Sequence, residues 1–379
     1  MAPLEPWQKV LVSEEFADDP HGNFQCTLCH GGVSDPDMDT AHAGMVADPS
    51  EPGKGNACAT CHGELKEHFD NSLHASQSGY WERLDDRSLP ENHDQLSGMF
   101  DNHCSSCHTT CGDCHISQPA GVGGGFVDGH VVNKTPSMSQ NCTACHGSRV
   151  GNEYLGKHEG IPGDVHFRSE RMNCMSCHTG TEMHDSTASC EKCHKTEELA
   201  AMDTGNSRYD GEQVPSCESC HLEVGAESDP NPQHTLHKDT LQCQVCHSVQ
   251  NTSCDSCHVQ VSEKTGNPYF TTDATYLTFM IGKNYLQNFH RPYEYVVVRH
   301  APATPDAYDF YGENLQPNFD AVPTWLYATP HNIQRKTPQN ASCNACHGNA
   351  DIFLTADKVA PGELNANQSV IVPEVPAAQ

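Results

Sequence analysis

Cysteine and histidine recur in this chain at one fixed spacing, Cys-x-x-Cys-His, which occurs eleven times. Each set places two thiols one helical turn apart, with an imidazole directly after the second thiol. These groups can bond the two vinyl positions of one haem and ligate its iron from one face. All 22 cysteines belong to such sets, so the sequence predicts eleven covalently bound haems c.

The predicted attachment cysteines and first axial ligands follow in chain order. They are Cys26, Cys29 and His30; Cys58, Cys61 and His62; Cys104, Cys107 and His108; Cys111, Cys114 and His115; Cys142, Cys145 and His146; Cys174, Cys177 and His178; Cys190, Cys193 and His194; Cys217, Cys220 and His221; Cys243, Cys246 and His247; Cys254, Cys257 and His258; Cys343, Cys346 and His347.

Other uses of paired cysteines fit this pattern less well. Structural zinc needs four ligands per ion from paired knuckles, yet here a histidine follows every second cysteine, even in the isolated set at Cys343. A disulfide framework has no need of that histidine. Thioredoxin-like redox pairs sit in a βαβ context, which the sequence does not predict.

The histidines outside the motifs supply candidates for the second axial ligand. Eleven of the 26 histidines lie in the motifs and fifteen lie outside them, so bis-histidine ligation of eleven irons would use eleven of the fifteen. His68, His93, His158 and His290 stand beside charged residues and are interpreted as surface residues. His103 directly precedes a motif and would ligate a neighbouring haem. The predicted second ligands are His21, His42, His74, His103, His130, His166, His184, His234, His237, His300 and His331.

Two imidazoles per iron predict a low reduction potential, because a methionine ligand would raise it. They also leave no open coordination position on the iron. This is the coordination of an electron carrier rather than of a catalyst, so the sequence predicts that the chain is not an enzyme.

The composition agrees with a haem-filled interior. Only 36% of the residues are apolar and 7% aromatic, which is little material for a large protein core. The formal charge of −29 disfavours nucleic acid and anionic lipid as partners, since both would be repelled. No run of eighteen apolar residues occurs, so we expect no membrane insertion.

Motif spacing predicts the organisation of the chain. We expect an N-terminal lobe with four haems at 1–120 and a central lobe with six at 121–260, joined at a glycine-rich hinge at 121–125. A haem-free segment at 261–342 and a last haem with an extended arm at 343–379 follow. The expected fold is that of a multihaem cytochrome c, haem-cored and mostly coil, with short helices at the motifs and little β-structure.

Residues 259–342 contain no cysteine yet hold 14 of the 26 aromatic residues. The β-branched run in Tyr293–Arg299 predicts a strand, and Thr275–Asn288 is interpreted as a short helix. The segment is either a small protein-cored lobe or a cover laid over the haems. The tail from Asn365 to Gln379 is interpreted as an extended arm, either a disordered terminus or a strand added to another subunit.

One acidic triplet has the opening spacing of a calcium loop, Asp35-x-Asp37-x-Asp39. Thr40 stands where that loop needs glycine and Val46 where it needs glutamate, so an EF-hand is not predicted. Adventitious binding of Ca²⁺ to the acidic surface stays an open alternative.

The chain resembles the multihaem c-type cytochromes of metal-reducing and sulfur-cycling prokaryotes, and the resemblance rests on all eleven motifs. Stretches such as Gly123–His130, Asn141–Arg149 and Arg171–His178 look like those of the large respiratory members. The resemblance implies one of two branches. One comprises extracellular electron conduits, some of which polymerise into nanowires. The other comprises octahaem enzymes such as tetrathionate reductase and hydroxylamine oxidoreductase, which keep one haem with an altered or open ligand. This chain departs from the second branch because every motif ends in histidine and three further motifs are present.

The predicted function is extracytoplasmic electron transfer to other redox proteins or extracellular acceptors, with self-association into filaments. An extracellular or cell-surface location is expected, with the periplasm as the alternative, although residues 1–12 show no export signal. The alternative function is reduction of a small sulfur or nitrogen oxyanion at a haem covered by 259–342. Lys283, His290 or His300 would then act as acid or electrostatic stabiliser.

Overall fold

The computed structural model describes residues 12–51, 56–107, 109–184, 215–288, 291–301 and 303–379. The chain folds into two compact units, each built from several separate segments. The first unit comprises Met1–Gln77, Ser106–Ser148 and Asn173–Thr187, and the second comprises Ser78–Ser105, Arg149–Met172 and Ala188–Gln379. The glycine-rich stretch at 121–125 lies inside the first unit, and the four-part division stays a prediction.

Helices in the described residues are short, and only three reach ten residues. They are α1 (Glu14–Asp18), α2 (Cys26–His30), α3 (Met38–Ala41), α4 (Ala59–Asp70), α5 (Leu73–Ser76), α6 (Ser78–Arg87), α7 (His93–His103), α8 (Cys111–His115), α9 (Thr143–His146), α10 (Asn152–Leu155), α11 (Val165–Glu170), α12 (Gly180–Met183), α13 (Pro232–His237), α14 (Cys243–His247) and α15 (Cys343–Cys346). Isolated helices of this length are marginal in water, so they need caps and packing partners.

The described part of the first unit is held by polar contacts and has no fully buried apolar side chain. Thr110 and Asp113 form a capping box at the start of α8. The Ser50 hydroxyl donates to Thr110 Oγ1 at 2.8 Å and accepts from the Gly112 amide at 3.0 Å. Asn141 donates from Nδ2 to the carbonyl oxygens of Asp113 and Ser117, each at 2.7 Å. Something other than aliphatic packing must therefore stabilise this unit.

The second unit contains the strands of the described residues. They are β1 (Asn251–Val261), β2 (Pro268–Thr278), β3 (Met280–Lys283), β4 (Tyr295–His300) and β5 (Trp325–Tyr327). β1 and β2 form an antiparallel hairpin, and β3, β4 and β5 form an antiparallel sheet with β4 in the centre. The β-branched run predicted as a strand is therefore confirmed by β4.

Valines of β4 lie at the centre of a protein core on both sheet faces. Val296 and Val298 pack in one apolar cluster with Trp325 and Leu354, whereas Val297 packs in another with Ile281. A third cluster joins α6 and α7 to the loop that contains Leu315. Full burial of each large apolar side chain contributes about 1.5–3 kcal/mol.

The C-terminal segment, predicted as an extended arm, instead folds back onto the second unit. Val370 and Val372 are 0% and 1% exposed, and the Val372 amide donates to the Leu354 carbonyl at 2.8 Å. The Asn367 side chain accepts from the amides of Thr324 and Trp325. This part of the tail completes the core of its own chain, so it is not available as a strand for another subunit.

Two further expectations about local structure are wrong. Thr275–Asn288 is not helical, because β2 continues to Thr278 and β3 starts at Met280. Its aromatic and β-branched residues fit a pleated surface better than a helix. The motif at Cys254–His258 lies within β1 rather than in a helical turn, with Ser256 at a left-handed φ of 52°.

Candidate functional site

Most motifs in the described residues form a single helical turn. Helices α2, α8 and α14 each begin at the first motif cysteine and end at the motif histidine. After α2 the chain turns at Gly31, where φ is 71° and an added Cβ would meet the Gly44 carbonyl oxygen at 3.1 Å. The twenty described cysteines all have free thiols. The predicted sites at His108, Cys190, Cys193 and His194 lie outside the described residues.

Seven motif histidines each face one histidine from outside the motifs, with ring centroids 6.0–6.3 Å apart. Four of these pairs lie in the first unit and three in the second. All seven partners belong to the predicted second ligands. The pairs are His30 with His130, His62 with His21, His115 with His184, His146 with His74, His221 with His166, His247 with His234, and His347 with His237.

The separation within these pairs fits a metal ion between the rings. A metal–imidazole bond is about 2 Å long and the ring centroid lies about 1 Å further, so two opposed ligands have centroids about 6 Å apart. Other ring contacts in this chain scatter from 4.5 to 6.4 Å. The narrow spread, together with the pairing of one motif histidine with one other histidine, favours shared iron ligation over ordinary aromatic packing.

The outer nitrogen of many of these rings donates to a backbone carbonyl. An Nδ1–H donor leaves Nε2 unprotonated, which is the form that ligates a metal. The carbonyl acceptors are Val46 for His30 at 2.8 Å, Asn133 for His115 at 2.7 Å, Gly180 for His184 at 2.6 Å, Gln233 for His237 at 2.9 Å, Gln334 for His247 at 3.1 Å and Ala377 for His347 at 3.1 Å.

Carboxylates accept from the outer nitrogen of four other histidines. Three are predicted second ligands and one, His178, is a motif histidine. The pairs are His21 with Asp19 at 2.7 Å, His166 with Asp164 at 3.1 Å, His234 with Asp229 at 2.7 Å and His178 with Glu182 at 2.9 Å.

These carboxylates are functional candidates that sequence reasoning missed. The Asp-x-His spacing before His21 and His166 is a visible signal, but it also occurs inside a motif at Asp113–His115 and is weakly specific. Asp229 lies five residues before its histidine and carries no comparable signal.

Burial favours the neutral form of several paired histidines. It lowers the pKa of His74, of His115 and of His247 below the usual value. A neutral imidazole keeps the lone pair that binds iron, so these environments suit metal ligation near neutral pH. At His178 the hydrogen bond to Glu182 acts in the opposite direction and raises the pKa.

Two predicted second ligands contact other side chains in this structure, and their ligation stays a prediction. His103 Nε2 lies 2.8 Å from the Tyr311 hydroxyl, and His300 Nε2 donates to Glu363 Oε2 at 2.8 Å while its ring stacks on Trp325. In both residues the nitrogen that would face an iron is occupied by a side-chain partner. His300 belongs to the protein core of the second unit.

The remaining candidates have these positions. His42 follows the end of α3, and the His331 amide donates to the buried carboxylate of Glu153 at 3.0 Å. In β1, His258 lies 2.8 Å from both the Ser256 carbonyl and the Gln260 side chain. Ligation by these three residues stays a prediction.

Histidines interpreted as surface residues have varied surroundings. His68 lies in α4, His93 packs against Trp81 with centroids 5.0 Å apart, and His158 Nε2 lies 3.2 Å from the Thr252 hydroxyl. His290 lies outside the described residues.

The residues named for the reductase alternative have separate partners. Lys283 Nζ lies 4.0 Å from Glu294, and His300 contacts Glu363. His290 lies outside the described residues. Asp35 and Asp37 of the acidic triplet accept hydrogen bonds from nearby backbone amides.

Neighbouring motifs contact each other through their thiols within each unit. A hydrogen bond between Cys58 and Cys111 raises the pKa of Cys58 and lowers that of Cys111 to about 7. A hydrogen bond between Cys142 and Cys174 likewise raises the pKa of Cys174 and lowers that of Cys142. In the second unit Cys217 and Cys243 form such a pair. The groups attached at these cysteines would therefore lie side by side.

Comparison with known protein families, curated proteins and solved structures finds no match to this chain. In the part of the chain that the structure describes, no helix has the length and apolarity to cross a bilayer. Nor do three or more His, Cys, Asp or Glu side chains there converge as a metal site made by protein alone would need.

Proposed function

We propose that this chain is an electron-transfer protein that carries eleven covalently attached haems c, most of them held between two histidines. The observation that carries the proposal is the set of seven histidine pairs at 6.0–6.3 Å. Each pair joins the histidine of a Cys-x-x-Cys-His motif to one from elsewhere in the chain. A haem c bound there would supply a one-electron couple on its iron.

The protein groups have three roles in this proposal. The motif thiols would anchor each porphyrin, and the paired imidazoles would ligate its iron and leave no place there for substrate. The carbonyl and carboxylate acceptors hold the imidazoles in one tautomer and one orientation. Fixed ligands limit the reorganisation that accompanies a change in iron charge.

Contacts between motifs support transfer along a chain of sites within each unit. The thiol pairs Cys58–Cys111, Cys142–Cys174 and Cys217–Cys243 each bring the attachment points of two different motifs together. Electron tunnelling falls steeply with distance, so such closeness favours transfer. We place this activity outside the cytoplasm, because haem attachment to paired thiols is an extracytoplasmic process.

The redox partners would be other redox proteins or extracellular acceptors. Assembly into filaments is a second part of the proposal and rests on the density of eleven motifs in 379 residues. The C-terminal tail no longer supports it, because that segment packs in its own unit. Electron microscopy of the purified protein at high concentration tests this part: filaments are expected, and only separate particles would contradict it.

Electron paramagnetic resonance of the oxidised protein tests the principal proposal. We expect low-spin ferric signals, with full reduction by dithionite. A high-spin ferric signal in the wild-type protein would instead favour the reductase alternative, because it marks an iron with an open or weak axial position.

The variant His21→Ala should convert about one eleventh of the haem to high-spin, as expected for the loss of one axial imidazole among eleven motifs. The matched control is His68→Ala, which removes an exposed histidine in α4 that is interpreted as a surface residue. An unchanged low-spin spectrum in His21→Ala would contradict the assignment of that ligand.

A further inference from the structure

Three second ligands donate from Nδ1 to an aspartate that is largely shielded from solvent. The side chains of Asp19, Asp164 and Asp229 are only 11%, 2% and 7% exposed. Their hydrogen bonds to His21, His166 and His234 measure 2.7, 3.1 and 2.7 Å. The motif partners of these histidines are His62, His221 and His247.

Two of these aspartates use the same local geometry. Asp19 Oδ1 accepts from both the backbone amide and the ring of His21, at 2.8 and 2.7 Å. Asp164 Oδ1 does the same for His166, at 2.7 and 3.1 Å. Each aspartate also caps the short helix that carries its histidine. One oxygen thus fixes both the backbone and the ring of the ligand.

Further backbone donors favour the ionised form of these aspartates. The Val132 amide donates to Asp19, and the amides of Gly225 and Asn231 donate to Asp229. The Ile333 amide donates to Asp164. All three carboxylates thus accept from backbone N–H groups as well as from a histidine ring, an arrangement that suits the anionic form.

Two other pairs offer a contrast within the same chain. His184, paired with His115, donates to the Gly180 carbonyl, and His237, paired with His347, donates to the Gln233 carbonyl. Their motif partners also donate to carbonyls. A carbonyl is neutral and withdraws the Nδ1 proton less strongly than a carboxylate does.

The charge of the acceptor should alter the iron potential. A carboxylate that accepts from Nδ1 makes the imidazole a stronger electron donor, which stabilises ferric iron relative to ferrous iron. Hydrogen bonding around the axial ligands is one of the means by which a protein sets haem potential. The Nδ1 proton stays on the ring in both redox states, so one electron alone is exchanged.

We propose that Asp19, Asp164 and Asp229 are positioning residues that hold the haems of His62, His221 and His247 at lower potentials than those of His115 and His347. This inference rests on the proposed bis-histidine ligation. It divides the sites of one chain into an aspartate-bonded class and a carbonyl-bonded class, and each unit contains both classes.

Asp19→Asn is the most selective variant for a test. Asparagine is as good a helix cap as aspartate, and its side-chain oxygen can keep both bonds to His21 while the charge is lost. Only the Val132 backbone amide, which donates to Asp19 at 3.3 Å, would face the new side-chain NH₂ group. At Asp164 the same change also disturbs the 2.7 Å bond from the Ile333 amide, so a larger structural effect is expected there.

The experiment is a potentiometric titration of the fully haem-loaded protein, followed by the reduced α-band and by electron paramagnetic resonance. In Asp19→Asn about one eleventh of the α-band should move to higher potential. The expected change in the ferric–ferrous equilibrium is about tenfold, equal to about 59 mV for one electron. The control Asp18→Asn removes one charge from the exposed residue that ends α1, directly before Asp19, and should leave the curve unchanged.

Each outcome has a separate meaning. An unshifted curve with all haems low-spin overturns the role of Asp19, and an equal shift in Asp18→Asn overturns it in favour of a general charge effect. High-spin iron in the wild-type protein would instead defeat the underlying proposal of bis-histidine ligation. If Asp19→Asn does not incorporate eleven haems, Asp164→Asn replaces it in the same titration, and an unshifted curve there overturns the inference.

Discussion

The two units are stabilised in different ways, although both contain Cys-x-x-Cys-His motifs. The described residues of the first unit include five complete thiol pairs and no fully buried apolar side chain. Those of the second include four complete pairs and three apolar clusters around β3–β5, α6 and α7. Similar attachment motifs therefore occur on two kinds of scaffold.

With haems bound as proposed, this difference indicates what they would contribute to each unit. Short capped helices without an apolar core do not offset the entropy of ordering the chain. In the first unit the porphyrins would have to supply the apolar surface as well as the redox chemistry. In the second unit the central sheet supplies its own core, and the haems would be added to a partly self-sufficient fold.

Removal of all haems should produce the largest difference in stability between the two units. In a haem-free chain we expect the amides of the first unit to exchange at nearly unfolded rates, because no core protects them. Amides of Val296–Val298 in β4 should retain protection. Hydrogen exchange followed by mass spectrometry measures both in one sample, with the haem-loaded chain as the control. Equal protection in the two units would contradict the comparison.

Truncation of one core side chain should have the next largest effect. Leu354 is 0% exposed between the sheet and the C-terminal tail, so Leu354→Ala should cost about 2–5 kcal/mol of unfolding free energy. Denaturant unfolding followed by tryptophan fluorescence provides the measurement. The control Val261→Ala, at a half-exposed strand end, should change stability by less than about 0.5 kcal/mol. A similar cost for both variants would mean that no such core exists.

In the first unit the polar contacts should contribute the largest effects of single side chains. Thr110→Ala removes the cap of α8 and leaves the buried Ser50 hydroxyl without that acceptor. We expect a loss of about 0.5–2 kcal/mol, measured by denaturation of the haem-loaded protein. Thr110→Ser retains the hydroxyl and serves as the matched control. If both variants behave like wild type, the polar network is not what holds this motif.

The smallest predicted effect concerns Glu363, which accepts from His300 and Thr324 beside the core of the second unit. Burial opposes ionisation, but these hydrogen bonds outweigh it and lower the pKa of Glu363. A folded-state pKa below the unfolded value means that the stabilisation is complete above the unfolded pKa of about 4.3. It is then lost as the pH falls through the folded-state pKa.

Glu363→Gln should therefore destabilise the protein by about 1 kcal/mol at pH 7, after allowance for solvent screening. The difference from wild type should shrink near pH 3. Thermal unfolding at the two pH values, with exposed Glu91→Gln as control, provides the measurement. A difference of the same size at both pH values would show that the charge of Glu363 does not matter.

The sequence predicted which histidines come together better than it predicted their other partners. The motif spacing predicts the attachment cysteines and first ligands, and seven of the predicted second ligands lie opposite a motif histidine. Elimination by charged neighbours could not detect that His103 and His300 have other partners, since Tyr311 and Glu363 are far from them in sequence. The role of Asp229 likewise depends on a loop geometry that spacing does not specify.

Prediction of the fold succeeded where the local pattern was strong. The valine run of β4 determined a central strand, because β-branched residues pack well on both faces of a buried sheet. Thr275–Asn288 and the C-terminal tail were misjudged, since tertiary pairing with β1, β4 and Leu354 decides their conformation. The enrichment of aromatic residues at 259–342 did not by itself distinguish a small protein-cored lobe from a cover over the haems.

The most direct test of the central claim is an experimental density map of the haem-loaded protein at a resolution that shows iron and its ligands. We expect one iron between the rings of each of the seven pairs, for example between His62 and His21 and between His115 and His184. Iron bound by a motif histidine opposite some other residue, or paired rings with no iron between them, would contradict the account.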